Sequence, residues 1–192
     1  MDNAQIKEEK LMITLQSAFP DAEVAFMRKD EVSLTIDKEK VASVLLKAKN
    51  QLGYNYLSHL TCVDWMEQNE FELIYIIWSP TDKISLYVRT RIDREHPEME
   101  NTDMIWRQLN TYQREIREMF GVEFPGFVGD KDFILEDWEE MPPMRRDFDT
   151  LTYVDDTYFE REGREDARDV REAITKKSGE EIPDFAKKYS RQ

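Results

Sequence analysis

Phe71-Glu72-Leu73-Ile74-Tyr75-Ile76-Ile77-Trp78 contains the longest uninterrupted apolar run of the chain, Leu73 to Trp78. It is bounded by the polar turn Glu67-Gln68-Asn69 and by Ser79-Pro80-Thr81-Asp82, so it reads as a central strand covered on both faces. The segment after it alternates instead. Ile84, Leu86, Val88, Thr90 and Ile92 share one face, and Lys83, Ser85, Tyr87, Arg89 and Arg91 share the other. Tyr54 to Trp65, just upstream, reads as another strand. Further back, Val32, Leu34 and Ile36 alternate with Ser33, Thr35 and Asp37, and the segment around Val24 and Phe26 is the hairpin partner.

Two helices precede these strand groups. Residues 4–19 carry Leu11, Met12, Leu15, Ala18 and Phe19 at one-face spacing and end at Pro20-Asp21. Asp37 is placed to cap a second helix bearing Val41, Val44, Leu45, Ala48 and Leu52, with Gly53 as its stop. The order α-β-β-α-β-β-β predicts an α+β fold: a mostly antiparallel mixed sheet with helices packed on one side, followed by an extended C-terminal docking segment.

From Ile105 the apolar residues Ile105, Leu109, Tyr112, Ile116, Met119 and Phe120 trace one stripe of a third helix, and Gly121 sits where a left-handed cap ends it. Beyond it, Phe124-Pro125-Gly126-Phe127 through Pro142-Pro143 has turn formers and scattered aromatics without periodicity. Long irregular segments with large apolar side chains need a surface to lie on. Three regions follow: 1–121, a core domain with an interface helix; 122–159, an extended partner-docking segment; and 160–192, a charged tail, helical or disordered until bound.

At 192 residues the chain holds one ordinary core plus a tail. A membrane span needs about twenty apolar residues, and no basic start followed by an apolar block marks a secretory signal. A cytoplasmic location is therefore the default expectation. The formal net charge is −14, which opposes binding to nucleic acid. From Glu160 to Gln192 nine acidic residues balance nine basic ones, so the excess acid lies in 1–159. That excess acts as a solubility device or steers a basic partner.

One cysteine, Cys62, leaves no internal disulfide and no iron–sulfur cluster held wholly by this chain. His59 lies three residues before it, and both read as structural residues. Asp64, Glu67, Glu70 and Glu72 are close in sequence and could supply a carboxylate pair for acid–base work, but no nucleophile or orienting histidine accompanies them. Arg89 and Arg91 read as solvent-facing partners of neighbouring carboxylates, with contact to another protein as the sharper reading. Arg114 and Glu118, four apart, could pair along their helix.

Two elements decide the functional reading. The first is Arg114-Glu115-Ile116-Arg117-Glu118-Met119-Phe120-Gly121-Val122-Glu123-Phe124; the second is Pro142-Pro143-Met144-Arg145-Arg146-Asp147-Phe148. In this order they resemble the 30 kDa subunit family of the proton-pumping NADH:quinone oxidoreductases, respiratory complex I, a family that includes the equivalent subunit of membrane-bound energy-converting hydrogenases. Ile134-Leu135 and the acidic region around Trp138 lie between the two elements, as in relatives.

The resemblance implies a peripheral-arm subunit without a cofactor of its own. Its partners would be the large catalytic subunit, which forms the quinone site or a nickel–iron hydrogenase-like site, and the iron–sulfur subunits of the peripheral arm. Membrane contact would come through the complex alone, and iron–sulfur clusters and the quinone or nickel–iron centre would reside on those partners. The expected partner interface comprises Arg114, Glu115, Glu118, Phe120, Gly121, Phe124, Trp138, Arg145, Arg146, Asp147 and Phe148, with no catalytic, cofactor-binding or metal residue. Aromatics and Arg are the residue types most enriched at interface hot spots. On this reading Phe120→Ala or Arg145→Ala weakens assembly without altering the fold. Gln113 stands where relatives usually carry Glu, Arg117 where an aromatic is common, and Phe127-Val128-Gly129-Asp130-Lys131-Asp132-Phe133 replaces the usual His-Pro-Asp-Leu-Arg-Arg. These departures keep a membrane-bound nickel–iron hydrogenase or a ferredoxin-dependent complex open beside the quinone enzyme. An unrelated soluble interaction adaptor and a free-standing enzyme are the remaining alternatives.

Overall fold

The computed structural model describes residues 3–127 and 132–157. The chain divides into two compact units, Met1–Phe148 and Asp149–Gln192. In the first, α1 (Asn3–Ala18) leads into β1 (Glu23–Arg28) and β2 (Glu31–Thr35). Then come α2 (Val41–Gln51), β3 (Tyr56–Trp65), β4 (Glu70–Trp78), β5 (Ser85–Asp93) and α3 (Leu109–Phe120). In the second unit α4 (Thr150–Thr157) begins at Asp149, whose Oδ1 accepts the backbone N–H groups of Leu151 and Thr152 at 2.9 and 3.2 Å. The 160–192 tail expected from the sequence lies outside the described residues.

The five strands form one sheet in the order β1-β2-β5-β4-β3. Each neighbouring pair is antiparallel except β2 with β5, which run parallel. The mixed α+β class is as the strand pattern predicts. Alternation sets the faces: Val32 and Leu34 on β2, Leu86 and Val88 on β5, and Phe71, Leu73, Tyr75 and Ile77 on β4 are all buried. Their registers place them side by side, Leu86 against Val32 and Ile77, Val88 against Leu34 and Tyr75. Leu11 and Leu15 of α1, Val41, Val44, Leu45 and Ala48 of α2, and Leu109, Ile116 and Phe120 of α3 close the core with them. The arginines on the other face of β5 pair as the milder reading had it, Arg89 with Glu72 at 3.4 Å and Arg91 with Glu70 at 2.7 Å.

Two local details differ from the sequence reading. Asp37 makes no side-chain cap; a single 3-10 turn over Lys38–Lys40 precedes α2 instead. The third helix begins at Leu109, not near Ile105. There the Trp106 indole N–H donates to the Asn55 carbonyl at 3.1 Å and Lys49 reaches the Ile105 carbonyl, so tertiary contacts hold Ile105 and Trp106 in turns. Residues up to Phe148 belong to the same compact unit as the sheet, and the described part of the irregular segment between Val122 and Phe148 packs with this chain's own core.

Candidate functional site

Gly121 ends α3 in the left-handed conformation, with φ 78°, as the stripe ahead of it requires. The chain turns there and comes back. Pro142 approaches so closely that a Cβ on Gly121 would meet its Cγ at 3.1 Å, and the Met144 N–H donates to the Met119 carbonyl at 3.0 Å. The two sequence elements, separate along the chain, thus meet at the C-terminal end of α3.

The second element then crosses the end of the sheet. Arg94, the residue after β5, donates from Nε to Asp64 Oδ1 at 2.8 Å and from Nη2 to Asp64 Oδ2 at 3.1 Å. The same Nη2 donates to Asp147 Oδ1 at 2.6 Å. Asp64 Oδ2 also accepts the backbone N–H of Arg146 at 2.9 Å. The Arg94 and Asp64 side chains are 9% and 2% exposed, so this is a buried charge cluster whose ions are mutually hydrogen-bonded. Farther out, Arg146 Nη1 reaches both Glu67 oxygens at 2.8 and 2.7 Å.

Electrostatics follows from this arrangement. Burial alone pushes the Asp64 carboxyl up. The Arg94 guanidinium and the Arg146 N–H outweigh it and hold the group below the usual carboxylate range. Asp147 is held down chiefly by its hydrogen bond from Arg94. Arg94 is raised by Asp64 first and Asp147 second, so it stays charged throughout.

Phe71, fully buried, forms the floor of the cluster. The Arg94 and Arg145 guanidinium carbons lie 5.6 and 5.5 Å from its ring centroid, and the Phe120 ring meets it edge-on at 6.0 Å. One ring therefore touches residues from both elements.

A second anchor holds the segment between them. The Glu118 carboxylate accepts the backbone N–H groups of Phe133, Ile134 and Leu135, the last two at 2.9 Å. Arg114 does not pair with it; its guanidinium lies over the Phe133 ring, 5.8 Å from the centroid. Trp138 donates to the Met141 carbonyl at 3.1 Å and its ring lies 5.8 Å from that of Phe148.

The expected interface residues thus fall into distinct environments. Arg145, Asp147, Phe120 and Gly121 gather at the end of α3 and the sheet, while Glu118 and Arg114 hold the stretch from Phe133 to Leu135. Phe120 and Phe124, at 7% and 3% exposure, are taken up by this chain's own core. Glu115, Trp138 and Phe148 are half-buried, and Arg146 is exposed. Among the described residues of the segment, the large apolar side chains left at the surface are Ile134, Met141 and Met144. Sequence reasoning did not single out Arg94, lost in the charged run that follows β5. Asp64 was grouped with Glu67, Glu70 and Glu72, but each of the four has its own arginine. Cys62 is a buried thiol, and the His59 ring packs edge-on against Tyr112 at 4.8 Å. Among the described residues no group of three or more His, Cys, Asp or Glu is placed to hold a metal. Among the same residues no helix is long and apolar enough to cross a membrane.

Several known proteins are similar to this chain. The C subunit of the NADH-quinone oxidoreductase of Moorella thermoacetica is 31% identical over 134 residues, 70% of this chain and 90% of that protein. The C subunit of the F(420)H(2) dehydrogenase of Methanosarcina mazei is 27% identical over 143 residues, 71% of this chain and 88% of that protein. Among solved structures, a chain of the membrane-bound sulfane sulfur reductase, an archaeal respiratory membrane complex, superposes with a TM-score of 0.74 at 28% identity, covering 82% of this chain and 97% of that one. The trypsin-resistant fragment (1-134) of Nqo5 shares the fold, with a TM-score of 0.55 at 18% identity over 64% of this chain and 98% of that one. The family model of the respiratory-chain NADH dehydrogenase 30 Kd subunit matches residues 34–154, and this chain belongs to that family.

Proposed function

We propose that this chain is a cofactor-free peripheral-arm subunit of a complex I-like membrane-associated oxidoreductase. It docks on the large subunit and stabilises it during electron transfer coupled to ion pumping. The observation that carries the reading is the pinning of residues 132–148. Both anchors hold backbone and charged groups inward while Ile134, Met141 and Met144 stay exposed at 69%, 42% and 55%. Exposed apolar side chains on a fixed segment suit a partner surface better than solvent. Asp132, Glu136, Asp137, Glu139 and Glu140 on the same segment favour a basic rim on that partner. Iron–sulfur clusters and the terminal redox centre belong, on this reading, to the partner subunits.

A second reading keeps the scaffold and changes the complex: a hydrogenase-type or ferredoxin-dependent membrane assembly. Its support is that similar proteins include a subunit of an F(420)H(2) dehydrogenase and a chain of an archaeal sulfane sulfur reductase complex, neither named as an NADH-quinone oxidoreductase.

The test is co-purification in mild detergent from the native host on an N-terminal tag. Recovery of a large catalytic subunit with iron–sulfur subunits supports the docking role. Nickel in that large subunit selects the hydrogenase reading, and quinone-dependent activity selects the other. Recovery of the chain alone at low salt overturns both.

A further inference from the structure

Arg94 joins three places in the chain: the end of β3 through Asp64, the end of β5 through its own backbone, and the returning segment through Asp147. Its planar fork serves both carboxylates at once, which a lysine ammonium on a flexible stem does not reproduce. The cluster also grips the backbone, since Asp64 accepts the Arg146 N–H. Around it the segment makes two tight turns of its own, Arg145 N–H to the Pro142 carbonyl at 3.2 Å and Phe148 N–H to the Arg145 carbonyl at 3.1 Å. A buried, multiply bonded charge cluster is an expensive way to hold a surface segment by stability alone, because apolar packing does as well. Its distinctive product is a fixed geometry.

We infer that Arg94 is the positioning residue of the docking surface: through Asp64 and Asp147 it sets Arg145, Arg146 and Phe148 in place before a partner arrives. The inference rests on the docking reading above and adds the device that makes the surface ready. A segment already ordered loses less conformational entropy on binding. If release of the clamp leaves about one molecule in ten in the docked geometry, apparent affinity for the large subunit falls about tenfold.

The test compares Asp147→Asn, Asp147→Glu and the unaltered full chain in two measurements: hydrogen exchange along the free chain, and titration of its binding to the purified large subunit. Asp147 is 35% exposed at its side chain, so its amide variant removes one arm of the clamp and leaves the Asp64 pair in place. The expected result for Asp147→Asn is faster exchange confined to 144–148, unchanged protection in β3, β4 and β5, and binding weakened about tenfold. Asp147→Glu keeps the carboxylate and should recover most of the affinity. Unchanged exchange at 144–148 overturns the inference, as does faster exchange with unchanged binding. Lost protection across the sheet also overturns it, because the cluster then holds the fold and not the surface. Failure of the unaltered chain to bind the large subunit sinks the docking reading itself.

Discussion

Arg94 and Asp64, 30 residues apart in sequence, share two hydrogen bonds at 2.8 and 3.1 Å in a setting where both side chains are at most 9% exposed. Removing the arginine strands the buried Asp64 carboxylate, so Arg94→Ala should lower stability by about 3–5 kcal/mol. Glu67→Ala, which breaks the Arg146–Glu67 pair whose side chains are 50% and 56% exposed, should cost about 0–1 kcal/mol. Urea denaturation of the two variants side by side measures the contrast. Equal costs would mean that burial does not set the weight of these pairs.

The same cluster predicts an acid limb. Asp64 and Asp147 have folded-state pKa values depressed below their ordinary value of 3.8. A depressed carboxylate contributes stability that is present above its unfolded pKa and lost as the pH falls through the folded one. Stability should therefore hold from neutral pH down to about 4 as far as these two groups decide it, then drop below that. Urea midpoints at pH 7, 5, 4 and 3 check this, and Asp147→Asn should flatten part of the acid limb.

Gly121→Ala should be costlier than Gly53→Ala. Both glycines have φ 78°, so the left-handed strain is common to both, of order 1–2 kcal/mol. Only at Gly121 does the new methyl face a neighbour, Pro142 Cγ at 3.1 Å; at Gly53 nothing lies within 4 Å. The difference between the two melting-point shifts isolates the contact, and Pro142→Ala should recover it in the Gly121→Ala background.

Phe120→Ala should destabilise the free chain by about 3–5 kcal/mol, the range for truncating a buried aromatic. The sequence reading expects this variant to weaken assembly and spare the fold. Burial of Phe120 against Phe71 at 6.0 Å makes the fold the first thing affected. Thermal unfolding of the isolated chain is the check.

Glu118→Gln should loosen the stretch from Phe133 to Leu135. A carboxylate gathers three backbone N–H groups there, and an amide offers one carbonyl oxygen in place of two. Hydrogen bonds to a charged acceptor contribute about 1.5–3 kcal/mol. The expected effect is faster amide exchange at those residues with β4 and β5 unaffected.

Local chemistry decided what the sequence reveals. The period-2 run from Ile84 to Ile92 and the six-residue apolar run in β4 fixed strands and faces, because each residue's environment follows from its immediate neighbours. Gly121 was legible for the same reason: a left-handed stop needs no long-range knowledge. The site was harder. Glu118 and Arg114 sit at helical spacing and invite a pair, yet backbone groups fifteen and more residues downstream outbid the arginine. Asp64 and Arg94 meet because β3 and β5 flank β4 in the sheet, which no local pattern in either segment records. Arg145 and Asp147 stand out in the sequence through resemblance alone, and their attachment to Arg94 and Phe71 needed three dimensions.

The order of strands also bears on when this protein becomes able to meet a partner. β2 finds its parallel neighbour only in β5, so the N-terminal hairpin waits for residues up to Asp93 before the sheet can close. Arg94 emerges immediately afterwards, but Asp147 follows 53 residues later. During synthesis the clamped segment therefore follows the strands it rests on, and it is set only on a sheet already complete. A chain that stops short of Asp147 has the Phe71 floor and the arginine but not the segment they set. On the docking reading, only a chain complete through Phe148 can present the docking surface.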